Sequence, residues 1–123
     1  MADARVLIVD DEPDLVELVA LTLSRMGLKS APAGSVREAQ ELLQTDHFDL
    51  VLCDMRLPDG DGLDLLEWLQ ARKPGLPCAV ITAHGNVETA VRALKLGAFD
   101  FVSKPLDVSR LRRMITSALK LSE

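Results

Sequence analysis

Short apolar runs alternate along the whole chain with longer stretches whose apolar residues recur at helical spacing, which predicts a βαβα organisation. The runs are Val6-Leu7-Ile8-Val9, a weaker one from Lys29 to Ala33, Leu50-Val51-Leu52-Cys53, Ala79-Val80-Ile81, and Phe99 to Val102. Most lack apolar–polar alternation, the pattern of strands covered by helices on both faces of a parallel sheet. Helical spacing falls at 13–26, 36–45, 62–72, 86–96 and 107–121, with Leu15, Leu18, Val19, Leu23 and Met26 striping the first segment and Leu111, Ile115, Ala118 and Leu119 the last. Local signals agree with these limits. Pro13 suits a first helical turn, Gly27 a stop, Ser35 an N-cap with Glu38 in the capping-box place, and Gly97 a C-cap. Repeated βα units with right-handed crossovers make a single-domain, doubly wound, five-stranded parallel sheet, (βα)5, the economical α/β topology.

At 123 residues the chain has the length of one domain, and 48% hydrophobic with 27% charged residues is the composition of a folded protein. Lys+Arg 14 against Asp+Glu 19 leaves a net charge of -5, which argues against direct nucleic-acid binding by this segment. Cys53 and Cys78 lie in apolar runs without a Cys or His at zinc spacing, and read as buried free thiols. With no signal-peptide pattern and no apolar run of about 18 residues, a soluble cytoplasmic domain without membrane contact is expected.

Open α/β sheets bind ligands beyond the carboxyl ends of their strands. The residues there are Asp10-Asp11-Glu12, Asp54, Thr82-Ala83-His84 and Ser103-Lys104-Pro105. Carboxylates crowded at one rim repel one another unless a cation intervenes, and hard oxygen ligands without a His/Cys cluster match Mg²⁺. Asp10, Asp11 and Asp54 are balanced in charge by Mg²⁺ and Lys104, so the site can admit an anion. Phosphoryl transfer needs an in-line nucleophile, a metal on the phosphoryl oxygens and further donors. Asp54 suits the first role, Mg²⁺ the second, Lys104 and Thr82 the third. Plainer readings exist for each residue alone. Asp10 to Glu12 suit the N-terminus of the helix that Pro13 opens, Asp54 a turn, Thr82 an ordinary strand end, and Lys104 a solvated loop. Their conjunction at one edge favours the site. His47 and His84 read as exposed loop residues, and Trp68, Phe99 and Phe101 as packing, with a second role suspected for Phe101.

The sequence resembles the receiver domain of two-component response regulators over essentially its whole length. The pieces that carry this are VLIVDDEP from Val6 to Pro13, DLVLCDMRLPDGDG from Asp49 to Gly62, VITA from Val80 to Ala83 and GAFDFVSKP from Gly97 to Pro105, in that order. The last piece, with AHG after Thr82, is similar to receivers of the nitrogen-regulation, σ54-activator type, which precede an AAA+ module and a DNA-binding helix-turn-helix. The resemblance implies the flavodoxin-like strand order 2-1-3-4-5 and makes residues 1-123 the N-terminal part of a longer regulator. It implies that Asp54 becomes an aspartyl phosphate, that Asp11, Asp54 and the backbone carbonyl of Arg56 ligate Mg²⁺, and that Asp10 acts through a metal-bound water. Lys104 would pair with the phosphoryl group and Thr82 would swing its hydroxyl toward it. Phe101 matches the switch aromatic, here without a phenolic hydroxyl, and Pro105 a proline that follows a cis bond. Asp59 and Asp61 are assigned to the turn beside the site.

The implied donor is a phosphohistidine of a sensor histidine kinase. Readout is expected on the 86–96 helix, strand five and the last helix, with Arg92, Lys95, Asp100, Arg110 and Arg113 as candidate exposed contacts of a phosphorylation-dependent homodimer. Three other classes fit less well. A haloacid-dehalogenase-type phosphohydrolase needs an acid two residues after its nucleophile, where this chain has Arg56, and a cap for which the length leaves no room. A flavodoxin-like cofactor binder needs a Gly/Ser/Thr-rich loop after strand one and aromatics to sandwich a flavin, against Tyr 0 and Trp 1 here. A receiver-shaped interaction module that is never phosphorylated would not require all the site residues at once.

Overall fold

The three inner strands carry apolar side chains on both faces because helices cover both faces, and they are almost wholly buried, whereas the two edge strands are only partly so. In the computed structural model, which describes residues 4–83 and 86–121, strands β1 (Arg5–Val9), β2 (Lys29–Ala33), β3 (Leu50–Asp54), β6 (Cys78–Thr82) and β7 (Asp100–Ser103) form one sheet in the order β2-β1-β3-β6-β7. Every neighbouring pair in it is parallel. Counted over these five strands, the order is the expected 2-1-3-4-5. Two-residue strands β4 (Arg56–Leu57) and β5 (Gly60–Asp61) make a separate antiparallel hairpin.

Helices α2 (Val36–Thr45), α3 (Gly62–Arg72) and α4 (Val87–Lys95) contribute to the core layer on one face, with Leu7, Val9, Val51, Cys53 and Val80. Helices α1 (Pro13–Arg25) and α5 (Val108–Leu119) contribute to the other, with Val6, Ile8, Leu50, Leu52 and Ile81. Consecutive residues of β1 and β3 thus serve opposite layers. Each fully buried Leu or Ile contributes on the order of 1.5–3 kcal/mol.

The helix ends follow their sequence signals closely. Pro13 occupies the first turn of α1, and Gly27, at φ 77°, ends it in a Schellman arrangement in which the amide of Leu28 reaches the carbonyl of Leu23 at 3.0 Å. Ser35 caps α2 by accepting from the amide of Glu38, whose carboxylate bonds the amide of Gly34 instead of that of Ser35. Asp61, read as a turn residue, also caps α3 in a capping box with Asp64. The Lys104-Pro105 bond is cis, as the resemblance implied. Phe99 departs from the expected packing role. It precedes β7 and stays 44% exposed, whereas Phe101 and Trp68 are half-buried against the core. Among the described residues no helix is long and apolar enough to cross a membrane.

Candidate functional site

Strands β1, β3, β6 and β7 end at one edge of the sheet, and their last residues meet there. Asp54 closes β3, Asp10 follows β1 and Thr82 closes β6, and all three are buried. Lys104, just past β7, donates from Nζ to Asp54 Oδ2 at 3.1 Å and to Glu12 Oε1 at 2.7 Å. Asp10 Oδ1 accepts the amide of Glu12 at 2.8 Å, while its Oδ2 is buried with no hydrogen-bond partner among the described residues. Thr82 Oγ1 lies 3.5 Å from both the carbonyl of Val102 and Ser103 Oγ, at the limit of bonding. The cleft outside these groups has a volume of about 540 Å³, and its walls include Asp11, Met55, Arg56, Leu57 and Asn86.

The electrostatics of this rim are unfavourable without help. Asp10, Glu12 and Asp54 each offer an oxygen within 4.8 Å of the others. Burial, reinforced by the charge of Asp54, raises the Asp10 carboxyl from 3.8 to about 6, although the Glu12 amide pulls the other way. Burial also works against the Lys104 ammonium, but its hydrogen bonds to Glu12 and Asp54 outweigh this and hold its pKa above the ordinary lysine value. One ammonium faces three carboxylates, and a desolvated oxygen of Asp10 lacks a partner. A hard divalent cation answers both deficits, so the residues fit Mg²⁺.

Of the residues singled out in the sequence, Asp10, Asp54 and Lys104 are brought together, and the carbonyl of Thr82 accepts the Lys104 amide at 2.8 Å while its hydroxyl faces Val102 and Ser103. Asp11 is exposed on the cleft wall, outside the three-carboxylate cluster. Glu12 stands in that cluster instead, a residue with no site role in the sequence reading. Its only signal there is its place beside two aspartates after a strand. The backbone of Arg56 approaches the cluster, its amide 3.4 Å from Asp54 Oδ1. His84 lies outside the described residues.

Residues 6–116 match the family described as the response regulator receiver domain. The chain belongs to that family. It is 54% identical over 121 residues to the response regulator protein PilR of Pseudomonas aeruginosa, covering 98% of this chain and 27% of PilR. Over 119 residues it is 38% identical to the transcriptional regulatory protein GlrR of Escherichia coli, covering 97% of this chain and 27% of GlrR. The crystal structure of the receiver domain of NtrX from Brucella abortus superposes with a TM-score of 0.90 at 39% identity, covering 95% of this chain and 99% of that one. This receiver therefore spans about a quarter of the length of the curated relatives it matches. It is the receiver domain of a two-component response regulator, a regulatory signalling domain, and receivers bind Mg²⁺ at an acidic pocket such as the one described.

Proposed function

We propose that this receiver is a phosphoacceptor. Asp54 takes a phosphoryl group from the phosphohistidine of a sensor histidine kinase, and the resulting change controls an output module. The observation that carries this reading is the convergence of Asp10, Glu12, Asp54 and Lys104 at one sheet edge, where the Lys104–Glu12 contact spans 92 residues of chain. Asp54 ends a fully buried strand, so its carboxylate is held at a fixed place beside the cleft. In the transfer, a carboxylate oxygen of Asp54 forms a bond to phosphorus as the nitrogen–phosphorus bond of the donor breaks and its electron pair returns to the imidazole. Asp11, Asp54 and the Arg56 carbonyl would hold Mg²⁺, with Asp10 acting through a bound water. When bound, Mg²⁺ supplies positive charge for the phosphoryl oxygens. Lys104 neutralises a further part of that charge by leaving the carboxylates it now bridges. The chain catalyses nothing beyond its own phosphorylation and dephosphorylation.

The signal then passes through Thr82. An aspartyl phosphate replaces one carboxylate charge by roughly -1.5 to -2 and adds acceptor oxygens. Thr82 Oγ1 gives up only two 3.5 Å contacts when it turns toward them. Those contacts tie β6 to β7, beside Phe101, whose carbonyl is held by Arg110 Nη2 at 3.0 Å while the same nitrogen bonds Asp100 Oδ1 at 3.2 Å. The adjoining face exposes Val87, Val91, Leu94, Phe99 and Val108, with Arg92, Lys95 and Arg113 around them. That mixture of apolar and basic groups suits a phosphorylation-dependent homodimer. Asp100 and Arg110 take part in it as an internal, half-buried pair. In the full-length cytoplasmic protein, of the σ54-activator type, residues 1-123 form the N-terminal receiver, followed by AAA+ and DNA-binding modules that contact nucleic acid in its place.

Intact-mass spectrometry after incubation with acetyl phosphate and Mg²⁺ tests the reading. The wild type should gain one phosphoryl group and Asp54→Asn none. Equal labelling of both would refute the assignment.

A further inference from the structure

The hairpin that follows Asp54 is fastened to a helix remote in sequence. Asp59, at the turn between β4 and β5, accepts the amide of Val36 on Oδ1 at 2.9 Å and the amide of Arg37 on Oδ2 at 3.0 Å, across 23 and 22 residues. These are the first two amides of α2, which the helix itself leaves without partners. Ser35 accepts only the third, from Glu38. The two amides, Arg37 first, hold the Asp59 carboxyl below the usual carboxylate range.

The hairpin has little of its own to hold it. Arg56 pairs with Asp61 and Leu57 with Gly60, and nothing longer follows; a ribbon of this size is not stable alone. Its base is secured by the amide of Gly62 on the carbonyl of Met55 at 3.0 Å and by the Asp61–Asp64 capping box. Its tip is secured by Asp59. Between base and tip, Met55 to Pro58 form one wall of the cleft, with the Arg56 amide facing Asp54.

We infer that Asp59 is a positioning residue of the phosphoacceptor site: by clamping the hairpin tip to the N-terminus of α2 it fixes the Arg56 backbone beside Asp54 and raises the site's affinity for a divalent cation. The inference rests on the reading of Asp54 and the Arg56 carbonyl as cation ligands. A carbonyl fixed in advance does not have to be ordered when the ion arrives, whereas one on a loose hairpin does.

The test uses the full chain and Mn²⁺, followed through the paramagnetic resonance of the free ion. Asp59→Ala should weaken Mn²⁺ binding by about three- to ten-fold, below the usual loss for side chains that orient a ligand directly. Asp59→Asn, which keeps one acceptor oxygen, should fall between Asp59→Ala and the wild type. Ser35→Ala removes a cap of the same helix without touching the hairpin. It should lower the thermal midpoint while leaving Mn²⁺ affinity unchanged. Amide exchange at Leu57 and Gly60 should accelerate in Asp59→Ala and not in Ser35→Ala. Wild-type affinity in Asp59→Ala, or an equal loss in Ser35→Ala, would overturn the inference. Mn²⁺ binding by Asp54→Asn equal to that of the wild type would instead overturn the site reading beneath it.

Discussion

Asp10→Asn exchanges a buried carboxylate for an amide of nearly the same shape, and in the cation-free protein the substitution should stabilise the fold. Asp10 is 2% exposed, its Oδ2 has no partner among the described residues, and the carboxyl is raised from 3.8 to about 6. At about 1.4 kcal/mol for each pH unit, keeping Asp10 ionised costs the folded state at most about 3 kcal/mol. The amide still buries a polar group without a full set of partners, at roughly 1 kcal/mol or more, so a net gain of about 1–2 kcal/mol is expected at pH 7.5. The sign follows from the raised value. Below about pH 4 both folded and unfolded chains carry the proton, and the variant gains nothing from lost charge. Between about pH 4 and 6 the unfolded chain ionises first, so the wild type loses stability as the pH rises, and above 6 the penalty is complete. Urea unfolding with EDTA at pH 4, 5.5 and 7.5 measures this. Adding Mg²⁺ should narrow the gap by stabilising the wild type through mass action. A variant less stable than the wild type at pH 7.5, or a difference that does not grow between pH 4 and 7.5, would show that the buried Asp10 charge carries no such penalty.

A Cβ at Gly62 would lie 2.7 Å from the backbone oxygen of Asp54 and 3.2 Å from Met55 Cα, neither of which can give way cheaply. Gly62→Ala should therefore destabilise the domain by about 1–3 kcal/mol in urea unfolding and disturb the seat of Asp54. Cys53 and Cys78 are fully buried, and burial pushes the Cys78 thiol up to about 12 and the Cys53 thiol well above its ordinary value. Both should resist a thiol reagent at pH 8 in the native protein and react in urea; prompt native labelling would show the sheet opening locally. Arg110→Ala removes bonds to Asp100 and to the Phe101 carbonyl, and should weaken beryllofluoride-induced dimerisation in sedimentation. Unchanged dimerisation would count against the α4–β7–α5 face.

Much of the fold was legible because burial on both faces of the sheet writes itself as unbroken apolar runs, and because Pro13, Gly27, Ser35 and Gly97 punctuate the helices in their usual places. Asp10, Asp54, Thr82 and Lys104 were legible for a related reason: strand ends in such a sheet share one edge. The β4–β5 hairpin was not, since two-residue strands are too short to show any period. Glu12 was overlooked as a partner of Lys104 because that contact spans 92 residues and depends on how the β7 loop returns to β1. The role of Asp59 also arises from tertiary pairing, and its sequence setting, Pro58-Asp59-Gly60, signals only a turn. Phe99 reads as core by composition alone, but it sits just before β7 and stays 44% exposed.

The proposed seat of the phosphoryl group is Asp54, and no neighbouring acid, with occupancy that depends on the cation. Borohydride reduction after acetyl phosphate treatment, followed by peptide mapping, addresses it directly because it converts an aspartyl phosphate to homoserine at the residue that held it. Homoserine is expected at position 54 with Mg²⁺ and none with EDTA. Conversion at position 10, 11 or 12, or conversion at 54 that is indifferent to the cation, would contradict it.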